Sequence, residues 1–267
     1  MDPSALTQYP NVRVEREGHV ATVTLDRPEA KNACTGDMFV AIGAAFREVS
    51  FSGARVVVLT GAGGDFCAGA DLGGGGGGGG RARGTYLDAM HVLNDVVLAV
   101  HGCPIPVIAK VDGVCVGAGL GLALAADLTW CSDRARLSVI YAKRGLSLDF
   151  GVSWFLRERV GVHKAKELAF TSEMMSAARA LEVGLVNAAV PAAELDDAVA
   201  ALAGSIAAGP PIALSMTKRQ LDNAGTSSLA EALEAEALAA AVNINTADLG
   251  EALTAYMERR PPEFKGR

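Results

Sequence analysis

The sequence has no apolar run of the ~18 residues that a membrane-spanning helix needs. Its richest stretch, from Val114 to Ala126, is shorter and is interrupted by Gly117, Gly119 and Gly121. It has no cluster of Lys and Arg: 24 basic against 30 acidic residues leave a net charge of −6, so no nucleic-acid partner is expected. No Cys-x-x-Cys pair occurs among Cys34, Cys67, Cys103, Cys115 and Cys131. An odd number of scattered cysteines predicts neither a disulfide framework nor a zinc site, but small buried thiols of a reducing cytoplasm. The polar stretch from Met1 to Asn11 lacks the basic-then-apolar order of a secretory signal. The expectation is a cytoplasmic protein with no membrane association and no metal.

Several catalytic motifs are also missing. There is no Gly-x-x-x-x-Gly-Lys-Ser/Thr phosphate loop, no His-Glu-x-x-His and no Gly-x-Ser-x-Gly elbow. His19, His91, His101 and His163 are scattered without ligand spacing. Gly61-Ala-Gly63 hints at a dinucleotide-binding turn, but the last glycine of that fingerprint falls on Phe66, which leaves an ordinary strand-ending turn.

What is present is a chain of 267 residues, 50% hydrophobic, long enough for a sizeable core and too apolar for disorder. The first half alternates strands and helices. Strands are predicted at 20–25, 54–60, 106–111 and 128–131, with helices at 35–49, 85–100 and 117–126. From about Val152 the pattern is nearly all helical, in segments 152–160, 164–170, 177–183, 194–208, 212–223, 229–244 and 249–259, with one strand at 185–190. This predicts an α/β core over residues 1–200 and a helical region over 201–267.

Two glycine-rich segments follow predicted strands: Gly64-Asp-Phe-Cys-Ala-Gly-Ala-Asp-Leu72, and the stretch from Ala109 to Asp127 that contains Gly117-Ala-Gly-Leu-Gly121. Both have almost no side chain where the backbone turns, so a ligand can approach peptide N–H groups. In the second the glycines sit where a helix begins, and a helix N-terminus offers unpaired donors and partial positive charge. Two N–H groups aimed at one point make an oxyanion hole. Two tight packing turns are the alternative.

These segments, with Leu25-Asp-Arg-Pro-Glu-Ala-Lys-Asn-Ala33 before them, resemble the enoyl-CoA hydratase/isomerase (crotonase) superfamily. The likeness continues through Gly145-Leu-Ser-Leu-Asp-Phe-Gly151, the stretch from Ala178 to Asn187 and Arg259-Arg-Pro-Pro-Glu-Phe264, in order along the chain. It implies a crotonase-like spiral of ββα units with a C-terminal α-helical trimerisation region, a homo-trimer or hexamer, and an acyl-CoA thioester as substrate. Coenzyme A is then part of the substrate, and no separate cofactor is expected. By resemblance the oxyanion donors are the N–H groups of Ala68 and Ala118, the second an alanine where the family usually has glycine. An alanine serves there provided its φ is negative. The expected substrate-binding residues are Ala30, Lys31, Ala68, Gly69, Ala70, Asp71, Leu72, Gly117, Ala118 and Tyr141. Lys31 is read either as a contact to a CoA phosphate or as a solvated surface lysine.

The resemblance also places what is absent. Typical hydratases of the family position water with two glutamates, and here those places are Gly121 and, near the second, Tyr141. One carboxylate remains, Asp149, matching an aspartate of isomerase-like members. A single acid/base suits a 1,3-proton shift, and its apolar neighbours Leu146, Leu148, Phe150 and Trp154 favour a raised pKa. Capping of the helix near Val152 is the other reading of Asp149. A dehalogenase-type nucleophile is a further option that nothing else in the sequence supports. The favoured reading is enoyl-CoA isomerisation through Asp149. A hydratase with atypical acid/base groups and a non-catalytic acyl-CoA binder stay open beside it.

Eight consecutive glycines, Gly73–Gly80, follow the first oxyanion segment. At about 1 kcal/mol each relative to alanine they do not hold a helix. They read either as a pliable pocket wall or as a run in place of residues of other identity.

Overall fold

Val12–Glu17 (β1) and Val20–Leu25 (β2) pair antiparallel around Gly18. The turn puts Gly18 at φ 57°, a conformation that glycine adopts without steric cost. The structure, a computed structural model, describes residues 7–73 and 85–267. Residues 1–6 and the glycine run beyond Gly73 lie outside the described residues, so the expectations placed on them go untested.

The other strands, in chain order, are Val56–Gly61 (β3), Val107–Val111 (β4), Val114–Val116 (β5), Leu128–Ser132 (β6), Arg136–Ser138 (β7), Met175–Ser176 (β8) and Ala188–Val190 (β9). A six-stranded sheet runs β1-β2-β3-β4-β6-β9, parallel throughout except for β1. A small sheet runs β5-β7-β8. The β3 pattern Val56-Val-Val-Leu59 is buried on both faces, as a central parallel strand must be.

The helices are Gly36–Val49 (α1), Tyr86–His101 (α2), Ala118–Ala125 (α3), Val152–Thr171 (α4), Ala177–Glu182 (α5), Leu195–Ala207 (α6), Pro211–Ala224 (α7), Leu229–Asn243 (α8) and Ala247–Glu258 (α9). Thr35 caps α1 by accepting the Met38 N–H, and Thr85 with Asp88 forms a capping box on α2. On one side of the large sheet α1, α2 and α3 bury Met38, Phe39, Ile42, Phe46, Leu120 and Leu122. On the other, α6 lays Leu195, Val199, Ala203 and Ala207 against Val56, Val58 and Ile108.

The expected boundary at residue 200 falls inside α6, a helix packed on the sheet. The change of character comes at α7, which has no fully buried residue. Helix α7 is fixed to the core by Lys218, whose side chain is 9% exposed and lies 2.9 Å from the Asp127 carboxylate. Beyond it Leu229, Leu238, Ile244, Leu253, Tyr256 and Met257 stand exposed on α8, α9 and the turn between them.

Four strands escaped the sequence reading. The edge strand β1 carries only two apolar residues, Val12 and Val14, among charges. β5, β7 and β8 have two or three residues each, too short to show a period. The expected gap between helices at 152–160 and 164–170 is narrower than predicted: α4 is broken only at Gly161, with φ 72° and ψ 162°. No single described helix is long and apolar enough to cross a membrane.

Candidate active site

The segment after β3 is held from both sides. Cys67 N–H donates to Val114 O at 2.9 Å, and Val116 N–H to Cys67 O at 3.1 Å. Across from it Cys34 N–H donates to Gly69 O at 2.8 Å, and Asp71 N–H to Cys34 O at 2.9 Å. Gly69, at φ 93°, is needed there: a Cβ would lie 3.0 Å from Val116 O. That Cβ would also lie 3.6 Å from the Ala118 nitrogen, so this segment and the start of α3 are in contact. Gly119 brings them together, since a Cβ on it would lie 2.4 Å from Cys67 O.

This register corrects one expectation. The Ala68 N–H already donates to Lys31 O at 2.9 Å and is not available to a ligand. The neighbouring Ala70 N–H has no partner among the described residues, because the bonds to Cys34 use only Gly69 O and Asp71 N. Ala118 is the first residue of α3; its N–H is likewise unpartnered and its φ is negative. The unpartnered N–H groups at this place are therefore those of Ala70 and Ala118, while that of Ala68 is engaged.

Both residues line a cavity of about 150 Å³. Ala68, Gly69, Leu72, Gly117, Tyr141 and Asp149 line it too, as expected. Ala30, Lys31 and Asp71 do not. Asp71 turns away to Arg27, 2.8 Å distant, and accepts the Gly73 N–H at 2.8 Å. These bonds, the Gly73 one first, hold its carboxyl below the usual range. Lys31, at φ 51°, acts on the site through its carbonyl, while its amino group lies 3.9 Å from Asp65. The sequence reading missed Phe39 of α1 and Met90 and Leu93 of α2 in the wall. Helical spacing marks Phe39 as core but does not say that it faces a cavity.

Asp149 is the one carboxylate in this lining among the described residues. It does not cap α4: the N-cap is Gly151, with no side-chain bond. Burial raises its carboxyl above the usual range, against a lowering hydrogen bond from Tyr141. Burial first, then the charge of Asp149, push the Tyr141 phenol up, so it stays protonated. Leu146 and Phe150 flank Asp149 as expected, but Trp154 faces a different groove, beside Phe155 and α7. That groove, of about 480 Å³, is larger. Its basic groups are already engaged: Lys218 by Asp127, and Arg159 by the carbonyls of Leu124 and Ala126 at 2.7 Å. The smaller cavity is the one that two unpartnered N–H groups and a carboxylate line together.

A family model described as enoyl-CoA hydratase/isomerase matches residues 15–267. The chain belongs to the enoyl-CoA hydratase/isomerase family.

Among its relatives, a Rhodobacter capsulatus protein named "Probable enoyl-CoA hydratase" is 34% identical over 97% of this chain and 99% of its own length. The short-chain-enoyl-CoA hydratase of Clostridium acetobutylicum is 31% identical over 96% of this chain and 98% of its own. The crystal structure of an enoyl-CoA hydratase from Bacillus anthracis matches with a TM-score of 0.90 at 31% identity, covering 97% of this chain and 100% of that one. The fold is the crotonase fold, and the enzymes of this family process acyl-CoA thioesters. Within that fold the pocket of this chain differs in its polar equipment. Position 121, where the family resemblance leads one to expect a hydratase glutamate, is a glycine whose Cβ would lie 2.7 Å from Phe150 O. All five cysteines are buried and free. Cys34 and Cys67 bring their sulfurs to 3.7 Å beneath the donor segment, and their mutual hydrogen bond, with burial, keeps the Cys34 thiol protonated.

Proposed function

We propose that this protein shifts the double bond of an enoyl-CoA thioester, with Asp149 as the proton carrier. The observation that carries this reading is that Asp149 is the single carboxylate lining the cavity among the described residues. The thioester oxygen would sit at the N–H groups of Ala70 and Ala118. Asp149 would take a proton from C2 of a 3-enoyl thioester, moving the negative charge onto that oxygen. It would return the proton at C4, leaving the double bond between C2 and C3. No group outside the chain and the CoA thioester enters this sequence. The raised Asp149 pKa suits a group that must both accept and return a proton near neutral pH.

Hydration is the second reading, favoured by the names of the relatives. Incubating the protein separately with a 3-enoyl-CoA and a 2-enoyl-CoA, and following products by mass and chromatography, separates them. Migration of the double bond, lost in Asp149→Asn, supports the isomerase. Hydration of the 2-enoyl substrate without migration overturns it, and binding without turnover of any thioester points to a non-catalytic acyl-CoA binder. The exposed apolar residues of α8 and α9 support assembly with further copies of this chain as a trimer or hexamer, which sedimentation would measure.

A further inference from the structure

One polar side chain in the cavity has no part in the proton shift as drawn. Tyr141 lies on the 3-10 turn Ile140–Arg144 and is 5% exposed. Its hydroxyl lies 3.4 Å from the backbone carbonyl oxygen of Asp149, long for an O–H donor. The carboxylate of the same residue lines the same cavity, so a turn of either side chain would offer the hydroxyl a second, charged acceptor. A phenol has one hydrogen to give. It cannot serve both acceptors at once, and the charged one makes the stronger bond.

We propose that Tyr141 is the positioning residue of Asp149, its hydrogen resting on the Asp149 carbonyl while the carboxyl is protonated and turning to the carboxylate once the proton has left. This rests on the reading of Asp149 as the proton carrier. The contact does two things. It holds one carboxylate oxygen, leaving the other for the acyl carbons. It also stabilises the charged form that burial disfavours, so the carrier is ready for a new substrate at lower pH than its surroundings alone would allow.

The other groups facing Asp149 leave this role to Tyr141. The turn that carries Tyr141 adds Arg144, which is exposed, and α2 adds Tyr86, also exposed. The remaining walls bring no titratable side chain among the described residues: Phe39 from α1, Ala118 from α3, and Ala68, Ala70 and Leu72 from the donor segment. The α3 N-terminus adds partial positive charge, which Tyr141→Phe leaves in place.

The test uses the full-length protein with 13C-labelled aspartate carboxyls, Asp149 being assigned by its loss in Asp149→Asn. The Asp149 titration midpoint is read in the unliganded wild type and in Tyr141→Phe, alongside the pH dependence of kcat/KM on a 3-enoyl-CoA. Loss of a hydrogen bond to a charged group moves the midpoint up by about one pH unit. The acid limb of the rate profile is expected to move with it, with KM within about twofold. A fluorotyrosine at 141, a stronger donor of the same shape, is expected to move both the other way. Tyr141→Phe with an unmoved midpoint and limb overturns the proposal, even if kcat falls, because packing alone would then explain the fall. If Asp149→Asn keeps full activity, the proton-carrier reading fails, while the midpoint in the unliganded protein still decides whether Tyr141 and Asp149 are coupled.

Discussion

Gly121 lies directly against Phe150: a Cβ on it would sit 2.7 Å from the Phe150 carbonyl oxygen and 2.9 Å from its ring. The contact faces backbone as well as ring, so it is not relieved by a rotamer change. Phe150 is itself at φ 53°, an uncommon conformation for a bulky residue, and is fixed by Phe39, whose ring centroid lies 5.1 Å away. Position 121, where the family resemblance leads one to expect a hydratase glutamate, is thus closed to any side chain and not merely vacant. Gly121→Ala is expected to destabilise the protein by about 1–3 kcal/mol, as overpacking does. Gly121→Glu is expected to lower the Tm further without creating hydratase activity. Thermal melts and a 2-enoyl-CoA hydration assay check both; a well-folded Gly121→Glu that hydrates its substrate would contradict this account.

Asp149→Asn keeps the shape and removes the charge. Loss of a positioned acid/base is expected to lower kcat by about 10²–10⁴-fold. The stability effect has the opposite sense. The folded-state pKa of Asp149 is raised, so its stabilising contribution is fully present below the unfolded value of about 3.9 and is lost as the pH rises through the folded value. The asparagine variant should therefore match the wild-type Tm at the most acid pH that both tolerate and gain on it toward neutrality. Parallel melts across that range, with turnover of a 3-enoyl-CoA, measure the two effects.

Much of this arrangement was readable in the chain. The alternation of 20–25, the buried type of 54–60 and the small residues after Val116 placed the strands and the short helix that carry the site. The two glycine segments and Asp149 followed from their residues and from the family resemblance. What could not be read was the hydrogen-bond register between distant segments. Ala68 and Ala70 are indistinguishable in Cys-Ala-Gly-Ala-Asp; only the bond from Ala68 to Lys31, thirty-seven positions earlier in the chain, excludes the first of them. The packing of Phe150 over Gly121 is equally non-local. The same holds for Trp154, five residues from Asp149 in sequence but turned to the α7 groove by the start of α4.

Ala118 offers a way to remove a backbone donor without removing a side chain. It is the first residue of α3, the helical position where proline is tolerated because that N–H has no intrahelical partner. Ala118→Pro is expected to leave the fold intact and to lower kcat about 10²–10³-fold, as loss of one oxyanion donor does. Circular dichroism confirms the helix content, and turnover reads the loss. An active Ala118→Pro would remove Ala118 from the donor pair.

Lys218 and Asp127 make a separate prediction about how α7 is held. The Asp127 carboxylate accepts the Val107 N–H at 2.7 Å and meets Lys218 at 2.9 Å, yet burial still raises its pKa above the usual range. Desolvation thus outweighs the pairing even with the lysine present. Removing the lysine leaves that carboxylate without its counter-charge, a change that typically costs about 3–5 kcal/mol for a buried pair. Lys218→Met keeps most of the apolar stem and isolates the charge effect. Without Lys218 the folded pKa of Asp127 rises further, so the loss of stability should be full at alkaline pH, where the carboxylate is ionised, and should shrink as acid neutralises it. The double variant with Asp127→Asn should recover much of the loss at pH 8 by removing the stranded charge. Melts of the single and double variants at pH 5 and pH 8 decide it: a Lys218→Met defect that is equal at both pH values would mean that α7 is held by the packing of its stem and not by the ion pair.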